Sequence, residues 1–385
     1  MHLVPVYVTL FFVNGIVPPY LPILVRNLGY RTAVVGILLA IAEGSGILGP
    51  LLYCRLADKY GKYKSFIILS YCIMAAVILP LAFFVHPVAN AFFIILFAIG
   101  HRSAMPLIDA VTTIKLGEKG NYGRIRVFGS IAYVCFVLFL QWVPVLRPNT
   151  SINIAIWICI TSMLAIVPIV LLPSEYTNRK SPLQDTSITV KETEQKNTIW
   201  TPFFIMGLFV IALSRLAMTT VETFFPLFLV EYMQWDAVGL MMALSGISEI
   251  PFIFFSNRLI RRFGAMPLIA FTSTMVALRL GLYAVFPFKA GIIIAQLLHS
   301  FCFGLFHPAA ISFISLYVPP KQRSFGMTLY LSLGWALPMF IGNFIGGFIV
   351  DYAGYRSLFG YFTVFAILGT VIYLVWQLNQ RKRPD

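Results

Sequence analysis

Apolar residues run through this chain in long blocks, and polar residues gather in short clusters between them. A helix needs about 20 apolar residues to cross a bilayer. Twelve stretches reach that length: 4–25, 33–54, 65–85, 90–114, 125–146, 152–173, 201–230, 237–256, 267–288, 290–317, 324–350 and 357–377. Amphipathic periodicity inside them is weak, as expected of helices that are apolar nearly all round. The pattern predicts an all-α membrane protein with twelve transmembrane helices.

One interval breaks the pattern. From Pro173 to Thr198 the chain carries Glu175, Arg179, Lys180, Asp185, Lys191, Glu192, Glu194 and Lys196, with few apolar residues. That composition predicts a flexible linker. It divides the chain into a first six-helix bundle (1–173), a linker (174–199) and a second six-helix bundle (200–385). The halves echo one another. Leu56-Ala57-Asp58-Lys59-Tyr60-Gly61-Lys62 follows the second stretch, and Leu259-Ile260-Arg261-Arg262-Phe263-Gly264-Ala265 follows the eighth.

Composition agrees with a bilayer setting. The chain of 385 residues is 59% hydrophobic and 11% charged, with a mean hydropathy of +0.86. A soluble domain carries about 25% charged residues. The net charge of +14 does not point to nucleic acid, because the basic residues occupy short connections, where they set topology. One side carries Arg55, Lys59, Lys62 and Lys64, then Lys115, Lys119 and Arg124, then the linker. It also carries Arg258, Arg261, Arg262, Lys321, Arg323, Arg381, Lys382 and Arg383. The other side carries Arg26, Arg31, Arg147, Lys289 and Arg356. The rich side is expected to be cytoplasmic, with both termini and the linker. Met1–Pro5 has no Lys or Arg and no small-residue cleavage site follows, so the first stretch is expected to be retained. The five cysteines are scattered, with no metal-ligand spacing and no disulfide framework. Neither a phosphate-binding GxxxxGK[ST] nor an HExxH motif occurs, so neither direct nucleotide drive nor zinc hydrolysis is expected, nor any cofactor.

Against this apolar background eleven ionisable residues fall inside the predicted spans: Glu43, His101, Arg102, Asp109, Arg126, Arg215, Glu222, Glu249, Arg279, His299 and His307. A charge at the bilayer centre costs about 2.5–3.5 kcal/mol on insertion scales. Such residues face a polar cavity or one another, and they mark solute or ion paths.

Several motifs carry a family likeness. Asp58-Lys59-Tyr60-Gly61-Lys62 resembles the core of the signature loop of the major facilitator superfamily. Cys54 replaces its usual upstream glycine, and Arg261 replaces the aspartate in the second copy. Three longer stretches, 102–110, 122–130 and 296–307, resemble the branch of lactose and 3-phenylpropionate permeases. The likeness extends over nearly the whole chain. It implies two halves rocking about a midplane solute site. In lactose permease an acid on the fourth helix and an arginine on the fifth hold the sugar; Asp109 and Arg126 match them. Arg279 and His299 match its ninth-helix arginine and tenth-helix histidine. Gln296 and Cys302 stand where that permease has a lysine and its proton-carrying glutamate, so its proton site does not transfer.

Taken residue by residue, Arg102 and Asp109 are seven apart and share a helix face. Asp109, Arg126 and Arg102 are solute-contact candidates with Arg279, Gln296 and His299. The competing reading is permanent interhelical pairing. Arg215 and Glu222 repeat the seven spacing. Glu222 and Glu249 are the foremost proton-carrier candidates, with Glu43, His307 and Arg215 beside them; an ion pair with Arg215 or Arg279 is the alternative. For His101, and for Asn14 with Pro18-Pro19, a structural role is favoured. Asp58, Lys59 and Gly61 are expected to form a gating loop, or simply a turn.

The function expected is proton-coupled symport of a small polar organic solute, namely a sugar, nucleoside or aromatic carboxylate. The competing reading is an efflux antiporter of the same fold, which eleven buried ionisable groups disfavour. No catalytic constellation is present. A monomer in a bacterial inner membrane is expected.

Overall fold

The computed structural model describes residues 2–116, 122–143, 146–173, 198–319 and 322–381. The predicted linker lies almost entirely outside them. The described residues are helical, with no strand among them.

Among the described residues, eleven helices are long and apolar enough to cross a membrane. They are α1 (Val4–Arg26), α2 (Thr32–Tyr60), α3 (Tyr63–Phe83), α4 (Pro87–Leu116), α5 (Tyr122–Trp142) and α6 (Ser151–Leu171). In the second part come α7 (Pro202–Tyr232), α8 (Val238–Phe263), α9 (Ala265–Val285), α10 (Lys289–Tyr317) and α11 (Phe325–Gln380). The twelfth predicted span is the far arm of α11. The helix breaks at Gly354, whose φ of 78° and ψ of 174° are not helical. Each arm, 325–353 and 355–380, exceeds the roughly 20 residues a crossing requires. The fold is therefore the twelve-span all-α arrangement, with the last connection reduced to a single residue.

Helix ends follow local chemistry. Thr150 and Thr201 cap α6 and α7 by accepting from the Asn153 and Phe204 backbone N–H groups. Gly61 and Gly264 end α2 and α8 with φ of 65° and 85°, a conformation open to glycine without strain. The two repeated motifs thus both end their helices on a positive-φ glycine, but Gly61 is left-handed helical with ψ of 24° and Gly264 has ψ of 157°.

α1 runs unbroken through Pro18, Pro19 and Pro22, and Asn14 turns its amide back onto the Leu10 carbonyl at 3.0 Å. Among the described residues, four turns elsewhere widen to π geometry: Thr220–Phe224 and Phe228–Tyr232 in α7, Ser300–Leu305 in α10 and Ser332–Ala336 in α11. Such turns slip the register by one residue and occur frequently at functional sites.

The chain packs as two compact units, one of residues 1–30 with 41–195, the other of 31–40 with 196–385. In the first, α1 lies against α5 and α6, α3 against α4 and α6, and the second half of α2 against α4. In the second, α11 lies against α7 and α9, and α8 against α10. Its core includes Phe204, Phe306, Phe313 and Tyr330. The start of α2, residues 32–40, belongs to this second unit. There the Asp351 carboxylate accepts from the backbone N–H of Thr32 at 2.9 Å and of Ala33 at 3.0 Å.

Candidate functional site

In the first unit, Arg102 of α4 forms an ion pair with Glu43 of α2. Gly46, one turn beyond Glu43, makes the contact possible, because a Cβ there would lie 2.8 Å from the Arg102 stem. Two turns along α4, Asp109 accepts a 2.6 Å hydrogen bond from the hydroxyl of Tyr7 on α1. Tyr7 is fully buried and also lies 3.3 Å from the Thr112 hydroxyl. Arg126 is half-buried near the start of α5. Tyr7 escapes a sequence reading, since a tyrosine in an apolar run looks like any core ring. His101 stacks on Phe97 at 6.0 Å.

The second unit holds a denser network. Arg279 of α9 and Gln296 of α10 are both buried. Arg279 donates to the Gln296 amide oxygen and, from Nε, to the Tyr283 hydroxyl at 3.1 Å. Tyr283 and Ser245 also donate to that amide oxygen, at 3.2 and 3.1 Å. The remaining arm of Arg279 places Nη1 2.6 Å from Nδ1 of His299. On the other side of the ring, His299 Nε2 contacts the Glu249 carboxylate. Gly304, within the π turn of α10, lets the Glu249 backbone approach, since a Cβ there would meet the Glu249 carbonyl oxygen at 3.3 Å.

This geometry fixes the tautomer. A guanidinium only donates, so Nδ1 of His299 must present its lone pair. The ring proton then sits on Nε2 and points at Glu249. The result is a continuous chain from a permanent cation through a neutral imidazole to a carboxylate.

A second cluster lies in the same unit. Arg215 of α7 is completely buried. Its Nη2 stands 2.7 Å from Glu222 Oε1 and 3.4 Å from the Met339 sulfur, and its carbon centre lies 3.6 Å from the Trp335 ring centroid. The contact with Glu222 is close but poorly aligned: neither that oxygen nor Nε or Nη1 of Arg215 completes a hydrogen bond. Nearby, His307 Nδ1 lies 3.0 Å from the Tyr330 hydroxyl. Glu222 and Trp335 sit in π turns, and His299 immediately precedes one.

At the end of α2, Asp58 and Lys59 are exposed and Gly61 is buried. Asp58 accepts from the Tyr63 hydroxyl, which ties it to its own turn.

The sequence profile of the MFS_1 like family matches residues 1–361. The chain belongs to this family. It is a multi-pass membrane transporter of major facilitator type. It is similar to an uncharacterized transporter, YwbF, of Bacillus subtilis (strain 168), 25% identical over 96% of this chain and 92% of the relative. A maltose permease of Geobacillus stearothermophilus is 21% identical over 73% of this chain and 70% of that protein. A probable 3-phenylpropionic acid transporter of Escherichia coli (strain K12) is 23% identical over 94% and 93%. Among solved structures, the nucleoside transporter NupG superposes with a TM-score of 0.77 at 16% identity, over 100% of this chain and 99% of that one. That likeness concerns the fold.

Proposed function

We propose that this family member is a secondary active symporter that couples proton entry to import of a small polar organic solute. The observation that carries this reading is the chain Arg279–His299–Glu249. It holds one fixed positive and one negative charge, and its central ring accepts on one side and donates on the other. A proton added to Glu249 removes the charge that balances Arg279. A proton added to His299 Nδ1 puts N–H against N–H and displaces the guanidinium. The first leaves Arg279 without a balancing charge and the second leaves it without the His299 acceptor; a solute hydroxyl or carbonyl supplies an acceptor, and a solute carboxylate supplies both. Differential affinity of the solute for the protonated form is what coupling requires.

In the first unit, Asp109, Arg126 and Arg102 are assigned to solute contact, with Tyr7 orienting Asp109. Arg279, Gln296 and His299 are the second unit's solute contacts. Glu249 carries the proton; Glu222, Glu43, His307 and Arg215 support the charge balance. Asp58, Lys59 and Gly61 are assigned to a gating turn. The chain is taken as two six-helix halves joined by the 174–199 linker. It is placed as a monomer in a bacterial inner membrane, with the Lys/Arg-rich side and both termini in the cytoplasm.

Solute-induced pH change in an unbuffered suspension of expressing cells tests the reading, with sugars, nucleosides and aromatic acids as probes. External alkalinisation with one class, lost in Asp109→Asn, is expected. Radiolabelled uptake with no pH change for any probe would overturn proton coupling.

A further inference from the structure

Three rings rise along one face of α10. His299 and Phe303 lie 5.5 Å apart with planes 7° from parallel; Phe303 and His307 lie 6.3 Å apart with planes 8° from parallel. A regular α-helix would not align them, because eight residues advance about 80° beyond two full turns. The π turn over Ser300–Leu305 absorbs about one extra residue and leaves His307 about 20° short of two turns from His299. Alignment of the rings is thus a consequence of that turn. All three are partly exposed.

A flat ring needs about 3.5 Å on each face, so these gaps are too narrow to admit one. The ladder therefore offers its ring edges, apart from the two nitrogens of His299, which Arg279 and Glu249 already engage. What such edges accept is visible in the structure itself. Trp335 stands 78° from the plane of Phe303 at 6.0 Å and 78° from that of His307 at 5.6 Å. Arg215, at 3.6 Å from its ring centroid, holds it there. Trp335 occupies the Phe303–His307 end. Among the described residues, no other ring stands across the His299–Phe303 end at such an angle.

We propose that the His299–Phe303 end of the ladder seats a planar π ring of the solute, as the other end seats Trp335. Aromatic edges are electropositive and attract the electron-rich face of another aromatic ring. The outward C–H groups of a saturated pyranose carry the opposite sign and gain nothing there. The solute is then a nucleobase-bearing or benzenoid compound rather than a simple sugar. Its ring touches His299, so solute occupancy acts directly on the proton chain. This inference rests on the transport reading above and narrows its solute.

The test is calorimetric binding of uridine, 3-phenylpropionate and maltose to the purified full chain, repeated with Phe303→Leu and Phe303→Tyr. One ring-bearing probe is expected to bind, and which one distinguishes nucleobase from benzenoid. Phe303→Leu should weaken it about fivefold to tenfold, and Phe303→Tyr should restore it. Matching thermal unfolding midpoints for the two variants exclude a folding defect. Binding of maltose in preference to both ring probes, binding of neither ring probe, or indifference to Phe303→Leu would overturn the proposal. A probe that binds in a Phe303-dependent way but is never transported leaves the ring seat standing and removes the transport reading.

Discussion

Arg279 holds Nη1 2.6 Å from Nδ1 of His299, and the contact decides where the imidazole proton resides. Because arginine has no acceptor, that proton faces Glu249. One buried cation thereby sets the direction of a polar chain that spans three helices, α9, α10 and α8.

Arg279 serves His299, Gln296 and Tyr283 together through separate nitrogens. Lysine has one compact ammonium and cannot reproduce that fork. Arg279→Lys is expected to lower solute uptake in proteoliposomes at least about tenfold, the equivalent of about 1.4 kcal/mol. Uptake within about twofold of the parent protein, a difference under about 0.5 kcal/mol, would show that charge alone suffices.

The pairing of Arg215 with Glu222 predicts an asymmetric response. Arg215 is fully buried, whereas the Glu222 side chain retains 26% exposure. Glu222→Gln leaves an uncompensated buried cation, a loss of about 3 kcal/mol. Arg215→Met leaves a carboxylate that can still reach solvent, and should cost less. The double variant should recover most of the loss. Thermal unfolding of the three variants measures this, and equal effects of the two single changes would contradict it.

Asp351 caps the start of α2 from a distant part of the sequence. Asp351→Ala removes both hydrogen bonds and should cost about 1 kcal/mol. Hydrogen exchange should accelerate at Thr32 and Ala33, with α9 amides unaffected. Unchanged protection at those two amides would rule out the cap.

Much of the architecture is legible in the sequence. Long apolar blocks leave few alternatives to membrane helices, and buried charges stand out because each is costly there. The seven-residue spacing of Arg215 and Glu222 implies a shared face, and the structure brings the two together. For Glu249 the sequence offers a proton-carrier role or, alternatively, an ion pair with Arg215 or Arg279, and the structure sets it against His299. The π turn that follows His299, whose Gly304 lies against the Glu249 backbone, leaves no trace in an apolar run because it changes only which carbonyl each N–H reaches. The same holds for the ring ladder that this turn aligns. Tyr7 and Asp351 stay hidden for different reasons. One is a hydroxyl on a ring that otherwise reads as core, and the other sits at a span's edge, where an aspartate is commonplace. The break at Gly354 joins two predicted spans because a single glycine needs no polar loop around it.

A proton chain through His299 and Glu249 is tested most directly by accumulation of the bound ring probe in proteoliposomes. The imposed pH gradient is alkaline inside, and the parent protein is compared with Glu249→Gln. Gradient-driven accumulation is expected in the parent protein. None is expected in Glu249→Gln, while exchange of preloaded solute continues. Accumulation by Glu249→Gln equal to that of the parent, or parent accumulation indifferent to the gradient, would contradict that chain.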